Sequence, residues 1–128
     1  MRALLDTHAF LWWNLDDPQL SPIARNFIAD GGNTLYLSAV SAWEIAIKAA
    51  KGRLTLPGPA DRYVAARLSL HHIAVLPVEV SHALEVYNLP PLHTDPFDRL
   101  LVAQAGLEKL PILTADAAIG RYEVEVIW

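Results

Sequence analysis

From its N-terminus the chain alternates short apolar runs with longer segments of helical period. The run ALL at 3–5 stops on Asp6 and predicts a strand. His8 to Asp16 has a helical pattern ended by Asp17-Pro18. SPIARNFIADGG at 21–32 has Ser21 as N-cap, Pro22 at the first helical position and a glycine pair as its stop. TLYLS at 34–38 reads as a strand, and SAWEIAIKAAKG at 41–52 as a helix closed by Gly52. After a Pro/Gly loop at 57–59 come a helical ADRYVAARLSLHH and a buried strand IAVLP at 73–77. A helix near 80–87, a proline-rich loop through NLPPLHTDP and a helix from Pro96 to about Lys109 follow. PILT at 111–114 and VEVIW at 124–128 complete the pattern as strands. Strands alternating with helices predict an α/β fold of βαβ units around a mostly parallel sheet.

The acids then stand out by position. Asp6 lies at the end of the first strand and Asp116 just past PILT. Glu44 and Asp98 lie in the predicted first turns of their helices. In open α/β sheets, sites form outside the carboxyl ends of the strands, which all four acids can reach. Each also has an ordinary explanation. Ser41-Ala42-Trp43-Glu44 fits a capping box, and Glu44 fits an i,i+4 pair with Lys48. Asp95 fits the N-cap before Pro96, and Asp98 an acid favoured by the helix dipole. Asp116 fits an Asx-turn, and Asp6 a cap. Asp98, however, shares a helix face with Leu101, Val102 and Ala105, where a surface acid is out of place.

A carboxylate cluster requires a cation, because two unit charges about 4 Å apart cost about 4 kcal/mol at an effective dielectric of 20. The chain has no cysteine, so an all-oxygen donor set favours Mg²⁺ or Mn²⁺ over zinc. Composition bounds the rest. At 128 residues, 53% hydrophobic, the chain is expected to form a single domain over 1–128 with a real core. No apolar stretch approaches the ~20 residues of a membrane span. No secretory signal shows in MRALLDTHAF, and with no cysteine a cytoplasmic location is expected. The net charge of −4 argues against a generic nucleic-acid binder, yet residues 48–67 hold five Lys/Arg against Asp61 alone.

The strings DTHAFLWW, SAWEIAIK, HTDPFDRLLVAQA and ILTAD, in that order, resemble PIN-domain ribonucleases, specifically the VapC-type toxins of bacterial toxin–antitoxin pairs. The likeness runs from Leu4 to VEVIW. It implies a three-layer α/β/α sandwich and a Mg²⁺- or Mn²⁺-dependent endoribonuclease that hydrolyses RNA phosphodiesters. Its acidic quartet falls on Asp6, Glu44, Asp98 and Asp116, as both catalytic and metal-binding residues. Thr114 matches the polar residue accompanying the last acid. Arg99 and Lys48 are phosphate-contact candidates or solvated surface charge, and Asp95 reads as an N-cap. His8 reads as structural or as a substrate contact; the remaining histidines show no coherent metal spacing. Trp12, Trp13 and Trp43 are core residues or base-stacking platforms. The resemblance also implies an antitoxin partner. Four tryptophans in so apolar a chain add an expected exposed patch and a homodimer.

Two other readings compete. A phosphoacceptor receiver domain is similar in size and acid-rich at its strand ends. It needs an acid at the end of the third strand, where this chain has Pro77 and Val78 before Glu79. A PIN-like module that binds without catalysis would be marked by a missing acid, and none is missing.

Overall fold

The computed structural model describes residues 1–128. Five strands form one sheet: β1 (Arg2–Leu5), β2 (Thr34–Ser38), β3 (Ala74–Leu76), β4 (Ile112–Leu113) and β5 (Val126–Ile127). Six α-helices surround it: α1 (Thr7–Asn14), α2 (Pro22–Ala29), α3 (Ala39–Ala50), α4 (Ala60–Leu70), α5 (Val80–Glu85) and α6 (Pro96–Glu108). Short 3₁₀ turns span Val86–Asn88 and Ile119–Arg121. The strand order is β3-β2-β1-β4-β5, and every pairing is parallel. That order differs from the 2-1-3-4-5 of receiver-type folds, so the receiver reading falls. No helix is long and apolar enough to cross a membrane.

The two-residue period of the strands sorts their side chains into two cores. Ala3, Leu5, Leu35, Leu37 and Leu113 join Phe10, Ala24, Ile45 and Val64 on one face. Leu4 and Ile112 face the other way and join Leu101, Val102, Ala105 and Ile119. The result is the three-layer sandwich, with α1, α2 and α4 on one side and α5 and α6 on the other. Helix α3 contributes Ile45 to the first core and Val40 to the second, so it sits where both layers meet.

Several local expectations hold. Ser21 accepts from the Ala24 N–H at 3.0 Å with Pro22 at the first helical position, and Asp95 caps α6 through the N–H groups of Phe97 and Asp98. Gly52 takes φ +70° just beyond α3, a conformation glycine adopts without strain. Others are corrected. Helix α3 starts at Ala39 and is capped by Ser38, whose Oγ accepts from the Val40 N–H, so the Ser41–Glu44 capping box does not form. Glu44 therefore lies beyond the first turn. The run IAVLP supplies only Ala74–Leu76, an edge strand with Val75 54% exposed rather than a buried one. A continuous apolar run does not distinguish an edge strand from a central one.

One polar network ties α6 to the sheet. Ser38 Oγ, at the end of β2, donates to Gln104 Oε1 of α6, a residue with no solvent exposure. Gln104 Nε2 donates to the Pro77 carbonyl at 3.1 Å and lies 3.3 Å from His82 Nδ1. His82 Nδ1 accepts from the Glu79 N–H, so Nε2 bears the proton and donates to Glu108 at 2.8 Å. Gln104→Leu strands the Ser38 hydroxyl and the Pro77 carbonyl. It is expected to destabilise the protein by about 2–3 kcal/mol with an unchanged denaturant m-value. Urea unfolding measures this, and a loss under about 0.5 kcal/mol contradicts the network's weight.

Candidate active site

The chain runs outward from β1 to β2 and β3, then returns to place β4 on the other side of β1. The carboxyl ends of β1 and β4 thus form the switch point where ligands collect in such sheets. Asp6 directly follows β1 and Asp116 lies shortly after β4. Asp6 is buried and caps α1, its Oδ1 accepting from the Ala9 N–H at 2.7 Å. Asp116 is exposed; its N–H donates to Thr114 Oγ1 at 2.9 Å and its Oδ1 accepts from the Ala118 N–H at 2.9 Å. The ordinary roles of cap and Asx-turn are therefore real, and they also fix these carboxylates in place. Thr114 is fully buried and its hydroxyl also favours the charged form of Asp6.

Glu44 is buried on α3 and held from two sides. Thr7 Oγ1 donates to Glu44 Oε1 at 2.7 Å and also lies 2.9 Å from Ser41 Oγ. Lys48 Nζ pairs with Glu44 Oε2 one turn further on. Asp98 lies in the first turn of α6. Its carboxyl is pushed up to about 7, first by burial, then by the charges of Asp95, Asp116 and Glu44, and by a hydrogen bond with Asp116. Burial likewise raises Asp6, with Asp116 adding to the effect and His8 opposing it. Asp98 thus feels Glu44 and Asp116, and Asp6 also feels Asp116. The four predicted acids form one electrostatic unit.

The neighbouring residues divide differently from the sequence expectation. Arg99 is neither solvated nor free for phosphate. One guanidinium nitrogen donates to the Pro90 carbonyl and to Tyr122 Oη, each at 2.9 Å, and the other to the Val86 carbonyl at 3.3 Å. It clamps the proline-rich loop. Tyr122 Oη accepts from Arg99 and lies 2.7 Å from His93 Nδ1; the other ring nitrogen of His93 is Nε2. That atom, buried and otherwise without a hydrogen-bond partner, points toward Asp98 Oδ2 at 3.6 Å. Sequence reasoning misses His93 and Tyr122, because no spacing rule links a loop histidine to a tyrosine 29 residues on. Lys48 makes the i,i+4 pair and Asp95 is the cap. Trp12 and Trp13 pack against the core, whereas Trp43 is 59% exposed and stands edge-on to Phe97 at 5.2 Å.

The donor set suits a hard divalent cation: four carboxylates, no sulfur, and burial that, with like charge added, pushes one acid up to about 7. As they stand, no three His, Asp or Glu side chains are grouped so as to hold a metal ion.

The model of the PIN domain family matches residues 3–125, and the chain belongs to that family. It is similar to Ribonuclease VapC16 of Mycobacterium tuberculosis (strain ATCC 25618 / H37Rv), at 41% identity over 59 residues. That match covers 46% of this chain and 40% of the relative, so it spans well under half the relative's length. Among solved structures, the chain resembles VapBC2 from Rickettsia felis bound to a promoter DNA fragment, with a TM-score of 0.71 at 14% identity. It covers 98% of this chain and 97% of that one. FitAcB from Neisseria gonorrhoeae gives a TM-score of 0.64 at 22% identity, covering 98% and 96%. At these identities the likeness is one of fold.

The charge cluster predicts a pH dependence. Below about pH 4 Asp98 is protonated in both the folded and the unfolded chain. As pH rises from there, the unfolded carboxyl ionises while the folded one resists until about 7. The folded state then holds more protons, so metal-free stability falls across that window and the loss is complete above it. Asp98→Asn removes the penalty. After allowance for solvent screening, a gain of about 1 kcal/mol, or roughly 3–5 °C in Tm, is expected at about pH 8. No gain is expected at about pH 2.5, where both forms are neutral. Thermal melts in EDTA read both values, and an equal gain at both pH values contradicts the charge argument.

Proposed function

We propose that this PIN domain is a metal-dependent endoribonuclease acting as the toxin of a toxin–antitoxin pair. What supports the reading is that Asp6 and Asp116 follow β1 and β4, and that Asp98, pushed up to about 7 first by burial, also feels the charges of Asp116 and Glu44. These four residues would hold Mg²⁺ or Mn²⁺, which supplies neutralisation of their charge, polarisation of a phosphoryl oxygen and a lowered pKa for bound water. The chain's own residues do the positioning. Thr7 and Lys48 fix the Glu44 oxygens, the Ala9 N–H fixes Asp6, and Thr114 fixes the Asp116 loop. Burial, with the charges of Asp95, Asp116 and Glu44, pushes the Asp98 carboxyl of the metal-free protein up to about 7. No side chain in the cluster is a nucleophile of the serine or cysteine kind, so hydrolysis by water fits the residues present. The names of the relatives support the reading: one is a ribonuclease and others are VapBC and FitAB proteins.

Purified protein is expected to cleave single-stranded RNA with Mg²⁺ or Mn²⁺ and to stop in EDTA. Asp6→Asn and Asp98→Asn should each lower the rate at least about a hundredfold while circular dichroism stays native. Cleavage that survives chelation, or a folded Asp98→Asn protein of near-normal activity, overturns the proposal. A PIN-like module without catalysis would bind RNA and leave it whole in every arm. Sequencing RNA ends after brief induction in cells identifies the target.

The proposed partners are a second copy and an antitoxin. Val80, Leu84 and Tyr87 recur at i, i+4 and i+7 and are 76%, 67% and 92% exposed, an apolar stripe that suits self-association. The acidic cleft suits an arginine-bearing antitoxin segment, since a guanidinium pairs bidentately with carboxylates. Leu84→Glu is expected to halve the mass seen by light scattering. A wild-type monomer that also ignores the neighbouring reading frame's product refutes both halves.

A further inference from the structure

Beside the acidic cleft lies a cavity of opposite character. It measures about 380 Å³ and opens between α1 and α3, lined by Thr7, His8, Trp12, Lys48 and Arg53 over an apolar floor that includes Leu11. A smaller cavity of about 240 Å³ holds Asp6 and Asp116, and it too is lined by His8 and Trp12. The two cavities therefore share a wall. The His8 and Trp12 rings form that wall, with centroids 5.5 Å apart and planes tilted by 36°. Thr7 lines the larger cavity and donates to Glu44, so the cavity and the carboxylate site are mechanically one unit.

We propose that this cavity is a nucleotide subsite, holding a base and phosphate of single-stranded RNA next to the phosphodiester at the carboxylates. The inference rests on the endoribonuclease reading above and adds where the strand goes. Its volume falls within the ~300–1,000 Å³ of ligand pockets. Trp12 offers an aromatic face, and a base can reach it only when unstacked, which selects single strands over duplexes. Arg53 is exposed, and its guanidinium makes no hydrogen bond or ion pair, so its donors are free for phosphate oxygens. Lys48 gives one contact to Glu44 and keeps further donors. The single acid of the cavity, Asp17, accepts from Gln19 and can also accept from the amino group of a base. An arginine-bearing protein segment is drawn to the acidic cleft and repelled here, so the local charge favours a polyanion.

The test uses the Asp98→Asn protein with Mg²⁺, in which the expected loss of cleavage leaves the bound RNA whole. The probe is a fluorescein-labelled single-stranded RNA of about ten nucleotides, read by anisotropy across a salt series. Adding Arg53→Ala is expected to weaken binding roughly fivefold and to lower the salt slope by about 0.7, one phosphate contact for a single strand. His8→Ala should weaken binding too, and the annealed duplex should bind less tightly than the strand. Lys109→Gln, at the far end of α6, serves as the control and should match the parent. Arg53 and His8 variants that bind like their parent overturn the subsite even if wild-type protein cleaves RNA. An equal loss in Lys109→Gln also overturns it, in favour of diffuse charge. If RNA affinity is intact but Arg53→Ala abolishes antitoxin binding, the cavity belongs to the protein partner. If the parent binds no RNA and wild type cleaves none, the ribonuclease reading falls together with the subsite.

Discussion

Mutual repulsion of carboxylates at the open edge of a parallel sheet is the constraint on which this structure turns. Carboxylates gathered at one end of a sheet add nothing to stability, and Asp98, raised first by burial and then by the charges of Asp95, Asp116 and Glu44, registers the cost directly. The fold meets the cost by anchoring each acid independently. Asp6 is fixed by a helix N-terminus, Glu44 by Thr7 and Lys48, and Asp116 by a local turn. Asp98 is carried by α6, whose start is capped by Asp95. Because each anchor is separate, protonating or replacing one acid leaves the positions of the others standing.

The anchors work only if α3 and α6 keep a fixed relation, since one carries Glu44 and the other Asp98. Ser38 caps α3 and also hydrogen-bonds Gln104 of α6, so one hydroxyl links the two helices. On the far side of Asp98, Arg99 collects the carbonyls of the proline-rich loop and holds Tyr122, which holds His93. These links are short-ranged and directional, while the two apolar cores supply most of the favourable free energy. The polar links specify position; the cores supply stability.

Much of this arrangement is legible in the amino-acid sequence alone. Strand ends are marked by where apolar runs stop, which puts Asp6 and Asp116 at the sheet edge, and the helix starts at Ser21-Pro22 and Asp95-Pro96 fall where their capping grammar predicts. Glu44 reaches the edge for a reason that differs from the sequence argument. Ser41 looks like a cap because it precedes an acid by three residues, yet Ser38, at the end of β2, has the extended backbone a cap requires. What the sequence hides is tertiary. Arg99 beside an acid looks like a substrate contact in sequence, and only the folded loop shows its donors committed to carbonyls. His93 and Tyr122 meet through loops, which carry no periodicity to read. The edge position of β3 depends on strand order, which hydrophobicity alone does not encode.

Under the ribonuclease proposal, the charge balance is what would let a protein of net charge −4 attract a polyanion. Of its 14 acids four are in the cluster, and the other ten match its ten Lys and Arg. With the cluster neutralised by a cation, the remaining surface is balanced and the field near α1 and α3 is set by Lys48 and Arg53. Under that proposal, a cation that neutralises the cluster and an RNA strand would favour each other's binding, a linkage that is reciprocal. A guanidinium from a partner protein would compete for the same negative charge without bringing a phosphate, so the same carboxylates would serve both the proposed activity and its restraint.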